Sequence, residues 1–353
     1  MTEPAAAPAL ARVELHPYAI PLSQPWKCAR GATVLRRGWL VRIEDDEGAH
    51  GWGETAGLPG AGTETAELAE AALRRAVEAL PGLAPETARE RLPGLEHRAA
   101  RCGLECALLD LAARRAGVPL YRHLRPDAAG RVRVNAFVGA VDEGLGERLA
   151  AARRQGFEVA KLKLATAPLA EELPLFLAAM ASLPEGLSLR LDVNRGWTVA
   201  AAERTLPQFA GLPIEALEEP AHDADAAALA RLQAMVEFSL ALDESLAAWP
   251  EETALPVRRQ ILKPMVVGGP SRVLALALRP RTESVVTSSV DTAVGLWLSA
   301  HLAAVLDNGL AHGLDTASWL STLLGPAPAP GGTLELPGRP GLGFEPELGQ
   351  LSP

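Results

Sequence analysis

From about residue 130 onward the chain alternates between two hydrophobic patterns. Short apolar runs at 132–138, 159–164, 187–193, 214–217, 239–242, 260–266, 284–287 and 311–314 each end in polar residues. Between them, 143–155, 169–181, 199–209, 224–236, 246–255, 271–278 and 292–306 carry apolar residues at helical spacing. Strand-length runs alternating with amphipathic helices predict parallel strands joined by crossovers. Eight such units predict an α/β protein built on a TIM (β/α)8-type barrel, a fold of about 250 residues. The rival, an open doubly wound sheet, is weakened because no Gly-rich turn follows the first strand.

The region before the barrel reads differently. Residues 13–21 and 38–44 alternate as strands, 50–53 start a third, and 65–80 and 102–116 have helical spacing. This predicts an α+β domain over residues 12–127, ahead of a barrel over 128–317. Segments 25–32 and 55–63 are rich in Gly, Pro and small residues and read as loops able to cover a site. Residues 318–353 are Pro/Gly-rich, with 333–336 a candidate edge strand, and are expected to pack back on the outside. Residues 1–11, Ala/Pro-rich with Glu3 and no basic leader, read as a disordered tail rather than a secretory signal.

Composition narrows the function classes. Net charge is −9, which speaks against a nucleic-acid or anionic-membrane partner. No apolar run approaches the ~20 residues of a membrane span. Three cysteines, Cys28, Cys102 and Cys106, have no paired spacing. They read as free thiols of a cytoplasmic protein. The 34 basic residues include only four lysines, Lys27, Lys161, Lys163 and Lys263, so the other thirty are arginines. Arginine is a fixed charge, whereas lysine can be tuned to lose its proton, so the four places where lysine survives are of interest.

Three of the four stand at strand ends. In a parallel barrel the chemistry sits at the C-terminal ends of the strands. Read in order, those ends carry Lys161 and Lys163, Asp192 and Asn194, Glu218 and Glu219, Asp243 and Glu244, and Lys263. Strand alternation puts Lys161 and Lys163 on one face. Three convergent carboxylates suit a hard divalent cation such as Mg2+, with lysines flanking them. Any one Asp could instead be a helix N-cap, and the whole set could be a structural salt-bridge network. The chemistry that uses the full set is removal of a weakly acidic proton next to a carboxylate. A metal on the carboxylate oxygens offsets the developing charge. A lysine takes a proton only as the neutral amine, a form that a neighbouring cation favours.

The segments AKLKL (160–164), LRLDVN (189–194), EALEEP (215–220), LALDES (240–245) and ILKP (261–264) resemble the enolase superfamily, muconate-lactonizing subgroup. GWGE (51–54) and LPG (58–60) extend the resemblance to an N-terminal capping domain. LRLDVNRGWT (189–198), TSSVDTAVGL (287–296) and GLDT (313–316) look most like the o-succinylbenzoate synthases within it. The absence of His at the end of the seventh strand separates the chain from the mandelate racemase subgroup.

The resemblance implies a modified barrel, with the capping domain completed by the C-terminal tail. It also implies metal ligands Asp192, Glu218 and Asp243 for one Mg2+, with Mn2+ able to substitute. Lys163 would be the base, and Lys263 would stay charged on the opposite face. Lys161, Asn194 and Glu244 would be supporting groups. Lys27, Arg190, Ser288 and Ser289 would neighbour a small-molecule carboxylate substrate. The implied reaction is syn dehydration of 2-succinyl-6-hydroxy-2,4-cyclohexadiene-1-carboxylate in menaquinone biosynthesis. Racemisation of N-acylamino acids, epimerisation of dipeptides and muconate cycloisomerisation use the same scaffold and stay open, as does a non-enzymatic barrel. Asp291 is given no role, His301 reads as a core-edge histidine, and the oligomeric state, homo-oligomers included, is left open.

Overall fold

The computed structural model describes residues 8–28, 31–329 and 331–351, with side chains of 24–28 and 31–33 outside the description. The N-terminal domain begins with three antiparallel strands in sequence order, β1 (Leu10–Cys28), β2 (Gly31–Asp45) and β3 (His50–Thr55). Four helices follow: α1 (Ala66–Ala79), α2 (Pro85–Arg91), α3 (Arg98–Arg115) and α4 (Leu120–Leu124). The two glycines of the GWGE segment have a packing reason. A Cβ on Gly53 would meet the Gly103 carbonyl at 1.9 Å, and one on Gly51 the Ala107 carbonyl at 2.2 Å, so β3 lies directly on the α3 backbone. Helix α3 is consequently buried on two sides. Leu104, Leu108 and Leu111 meet Val41 and Ile43 in the core of this domain. Cys102, Cys106 and Leu109 face the larger core shared with the barrel.

After β4 (Arg131–Arg133) come seven parallel strands: β5 (Ala136–Ala140), β6 (Val159–Lys163), β7 (Ser188–Asp192), β8 (Ile214–Glu218), β9 (Ser239–Leu242), β10 (Arg259–Leu262) and β11 (Glu283–Val286). They are hydrogen-bonded in sequence order. Crossovers carry α5 (Leu145–Arg154), α6 (Leu169–Met180), α7 (Val199–Thr205), α8 (Ala226–Ala234), α9 (Pro264–Val267) with α10 (Pro270–Ala277), and α11 (Ala293–Leu306). The eighth apolar run, 311–314, forms single bridges only. Gly313 pairs with Thr287 after β11, and His312 pairs with Val134 before β5. These bridges connect the two sides of the curled seven-strand sheet.

The C-terminal stretch lies on the N-terminal domain and the barrel base. Strand β12 (Thr333–Glu335) pairs with β4. The Asp110 carboxylate on α3 accepts from both Trp52 N at 2.8 Å and Leu342 N at 2.6 Å. Trp52 Nε1 donates to Glu345 at 2.6 Å.

Three expectations are corrected. Leu10 is buried and bonded to Leu83, so the ordered chain starts before residue 12. Of segment 25–32, residues 25–28 and 31–32 are strand rather than loop, with Lys27 paired to Ala32 in the backbone register, and residues 29–30 lie outside the described residues. The predicted helix at 246–255 is a 3-10 turn over Glu244–Ala248 followed by irregular turns, because Pro250 and Pro256 interrupt helical hydrogen bonding.

Candidate active site

The parallel register sets the site. Lys163 on β6 pairs with Asp192 on β7, which pairs with Glu218 on β8. Three charged residues therefore form one row across neighbouring strand ends. Asp243 follows β9 and Lys263 follows β10, so the lysines bracket the three carboxylates. The N-cap alternative is weakened by where capping occurs. Thr198 and Asp225 cap α7 and α8 with their side chains, whereas Asp243 stands at the start of its 3-10 turn and makes no cap bond.

The charges are interlocked. The Lys161 ammonium meets Asp192 Oδ2 at 3.0 Å and bridges to Glu218 Oε2. Lys263 Nζ donates to Asp243 Oδ2 at 2.5 Å. Lys163 Nζ donates to Asn194 Oδ1 at 2.6 Å, and Asn194 Nδ2 donates to Glu244 Oε1 at 3.0 Å. Asn194 is also anchored by its own N–H to Asp192 Oδ1 at 3.0 Å. Asn194, Arg195 and Glu219 hold left-handed backbone at φ 45°, 62° and 50°, a strained conformation for non-glycine residues that concentrates at this rim.

Burial and charge pull in opposite directions here. Burial penalises the Lys161 ammonium, but Asp192 and Glu218 outweigh it and hold the group above its ordinary range. Lys263 is raised in the same way by Asp243 and Glu244 against burial. Asp192 is held below the usual carboxylate range because Lys161 and Lys163 overcome burial. Glu218 goes up, since burial prevails over Lys161. Burial and then Asp243 push Glu244 up to about 7. Its Oε2 is buried without a hydrogen-bond partner.

Among the described residues, no three His, Cys, Asp or Glu side chains are gathered as a ready metal cage. The ammonium groups of Lys161 and Lys263 occupy the carboxylate oxygens as they stand. The donor set still fits a divalent cation: hard carboxylate oxygens, on three consecutive strand ends and mostly withdrawn from water.

Other expected residues fall in different places. Ser288 and Ser289 follow β11 on the far side of Lys263. Ser288 Oγ shares a 2.6 Å hydrogen bond with Thr316 Oγ1, and Ser289 Oγ is buried without a partner. The Lys27 side chain lies outside the described residues. Arg190 is a correction: it is 1% exposed and lies beneath the strand ends, inside the barrel. Its guanidinium donates to Glu215 Oε1 at 2.6 Å, Asn135 Oδ1 at 2.9 Å and the Ala311 carbonyl at 2.8 Å. Strand alternation places 190 and 192 on one face, but 190 is one layer deeper, and all three of its guanidinium nitrogens are engaged there. The register steps by one residue between Leu189/Ile214 and Arg190/Ala216, which lets Glu215 turn toward Arg190. Arg259 Nη1 donates to Glu215 Oε2 at 2.6 Å and its Nε to Glu283 Oε2 at 2.8 Å, completing a charged floor.

Three groups escaped sequence reasoning as site builders. Glu219 Oε1 accepts from Asp243 N, Ser245 N and Ser245 Oγ at 2.6, 2.8 and 2.7 Å, and so shapes the turn that presents Asp243. Glu54, from GWGE, crosses to the barrel and accepts from Thr292 N, Thr292 Oγ1 and Gly295 N at 3.0, 2.6 and 2.8 Å, capping α11. Arg36 donates to the Val290 carbonyl at 3.0 Å and pairs with Asp291 at 3.4 Å. Asp291 thus has a role at the domain junction. The acidic residue after GWG was the one available signal; its partner 238 positions away was not readable.

Comparison with known proteins covers both domains. Residues 11–124 match the mandelate racemase / muconate lactonizing enzyme N-terminal domain, and residues 145–349 match the enolase C-terminal domain-like family. The L-Ala-D/L-Glu epimerase of Bacillus subtilis is 27% identical, covering 94% of this chain and 96% of that protein. An o-succinylbenzoate synthase of Thermosynechococcus vestitus is 32% identical, covering 87% and 93%. A dipeptide epimerase from Enterococcus faecalis, solved with Mg and the dipeptide L-Leu-L-Tyr, superposes with a TM-score of 0.83 at 23% identity, covering 95% and 99%. Among the described residues, no helix is long and apolar enough to cross a membrane.

Proposed function

This chain belongs to the enolase superfamily, and we propose that within it the protein acts as an o-succinylbenzoate synthase. The observation that carries the chemistry is the row Lys163–Asp192–Glu218, bracketed by Lys263 after β10. It supports removal of a proton alpha to a carboxylate. Choice of the dehydration rests on the sequence segments quoted above and on the 32% identity with an o-succinylbenzoate synthase over most of both chains.

In this reading Asp192, Glu218 and Asp243 would hold one Mg2+, and a structure of the same fold was solved with Mg and a dipeptide. A metal held there would supply positive charge where negative charge develops on the substrate carboxylate as the alpha proton leaves. Lys163 takes that proton as the neutral amine. The C–H electron pair enters the ring as the C–O bond to the hydroxyl breaks. Lys163 then returns the proton to the departing oxygen on the same face, so water leaves and the ring becomes aromatic. Lys263, charged on the other face, steadies the developing negative charge and the forming ring. Asn194 orients Lys163 through its 2.6 Å bond and is itself held by Glu244.

A second reading is favoured by the epimerase relative, which matches nearly the whole chain. There Lys163 and Lys263 would exchange protons on opposite faces of a dipeptide or N-acylamino acid. Purified enzyme should be assayed with the cyclohexadiene substrate, with N-succinyl amino acids and with L-Ala-D/L-Glu. Efficient dehydration is the expected result. Efficient epimerisation or racemisation without dehydration overturns the first reading in favour of the second.

A further inference from the structure

The missing helix between β9 and β10 leaves space. A cavity of about 780 Å3 opens there, between the α2–α3 part of the N-terminal domain and α10 of the barrel. Leu246 and Trp249, from the turns that replace the helix, give it an apolar wall. Arg89, Arg98, Arg101 and Arg272 line it as well, and so do Asp243, Glu244 and Lys263.

Carboxylates line the cleft too, Glu90, Glu96 and Glu105 besides Asp243 and Glu244, and Arg272 meets Glu251. Arg89, Arg98 and Arg101 have no ion-pair partner among the described residues; Arg101 spends its Nε on the Gly268 carbonyl at 2.7 Å. Glu105 acts on Arg101 and Arg89 from a distance but is occupied by Ser271 N at 3.0 Å. Arg272 is held below its ordinary range by burial and then by the proximity of Arg101 and Arg98, which places these three side chains near one another. A concave site with an apolar wall and arginines left without ion pairs suits a carboxylate, which arginine binds in a planar, charge-assisted pair.

We propose that this cleft binds a small organic carboxylate with an apolar ring or chain, apart from the position where Lys163 works. The anion meets Arg98 and Arg101, and the apolar body lies against Leu246 and Trp249. An occupant would touch the outer side of the Asp243–Glu244–Lys263 cluster, so the cleft can report ligand to the catalytic end.

Phthalate, an aromatic dianion, is the probe. Its binding is followed by Trp249 fluorescence, with Trp249→Phe as the control for the signal, and by calorimetry. Wild type and Lys163→Ala should bind it with equal affinity. Arg98→Gln should weaken it roughly 10-fold or more, the scale of one charge-assisted contact. Arg101→Gln should do the same. Arg98 has no ion-pair partner among the described residues, so its variant reads the site even if Arg101→Gln is unstable. Binding that is lost in Lys163→Ala, unchanged in Arg98→Gln, or not saturable in wild type overturns the proposal.

Discussion

Arg190 offers a sharp test, because its place in the fold separates a floor residue from a substrate contact. In Arg190→Met three buried acceptors lose their donors at once: Glu215 Oε1, Asn135 Oδ1 and the Ala311 carbonyl, at 2.6, 2.9 and 2.8 Å. Glu215 keeps Arg259 at 2.6 Å, so the carboxylate is weakened rather than stranded. Breaking a buried ion pair from one side costs about 3–5 kcal/mol, and the retained Arg259 contact puts the expected loss at the lower end, about 3 kcal/mol. Methionine recovers part of that through packing. Urea denaturation of wild type and variant, with unchanged m-values, measures the difference. Steady-state kinetics at a temperature where both are folded should show KM within a factor of about two of wild type. A variant as stable as wild type, with KM raised tenfold or more, would refute the reasoning and return Arg190 to the substrate.

Other outcomes follow from the same geometry. Lys163→Ala should abolish activity, by about 10^3-fold or more, while shifting the melting temperature little, since the side chain is half-buried at the rim rather than enclosed in the core; loss of folding would favour a structural charge cluster. Added Mg2+ should raise the melting temperature of wild type but not of Glu218→Gln or Asp243→Asn, checked by scanning fluorimetry with and without chelator. Glu54→Gln should cost about 2–4 kcal/mol, because an amide NH2 then faces Thr292 and Gly295 donors at the α11 cap, and thermal melts measure it. Burial pushes Asp110 up to about 6, against an ordinary 3.8. The folded state therefore keeps a proton that the unfolded state releases, so this group's contribution falls as pH rises from about 4 to 6. Asp110→Asn should flatten that part of the stability–pH curve; an unchanged slope would show that Asp110 does not set it.

The strand–helix rhythm after residue 130 was legible in the chain because period-2 and period-3.6 patterns are local. The order of lysines, carboxylates and the last lysine at successive strand ends was legible too. Parallel connectivity turns sequence order into spatial order, and the sheet indeed runs β5 to β11 without exchange. The chain could not show which layer a strand residue occupies once a bulge intervenes. Arg190 therefore read as a substrate neighbour, while the register step in β8 gives it Glu215.

Nor could local pattern reveal that 246–255, although apolar at helical spacing, would turn irregularly around Pro250 and Pro256 and open a cleft. Glu54 and Arg36 meet α11 and Val290 across more than two hundred residues, contacts that only packing of one domain on the other creates. By itself the sequence determined which residues stand at the barrel's rim, because a regular backbone carries period into position. The tertiary structure alone decided which of those charges neutralise one another, since a side chain's partner depends on distance and burial that no spacing encodes.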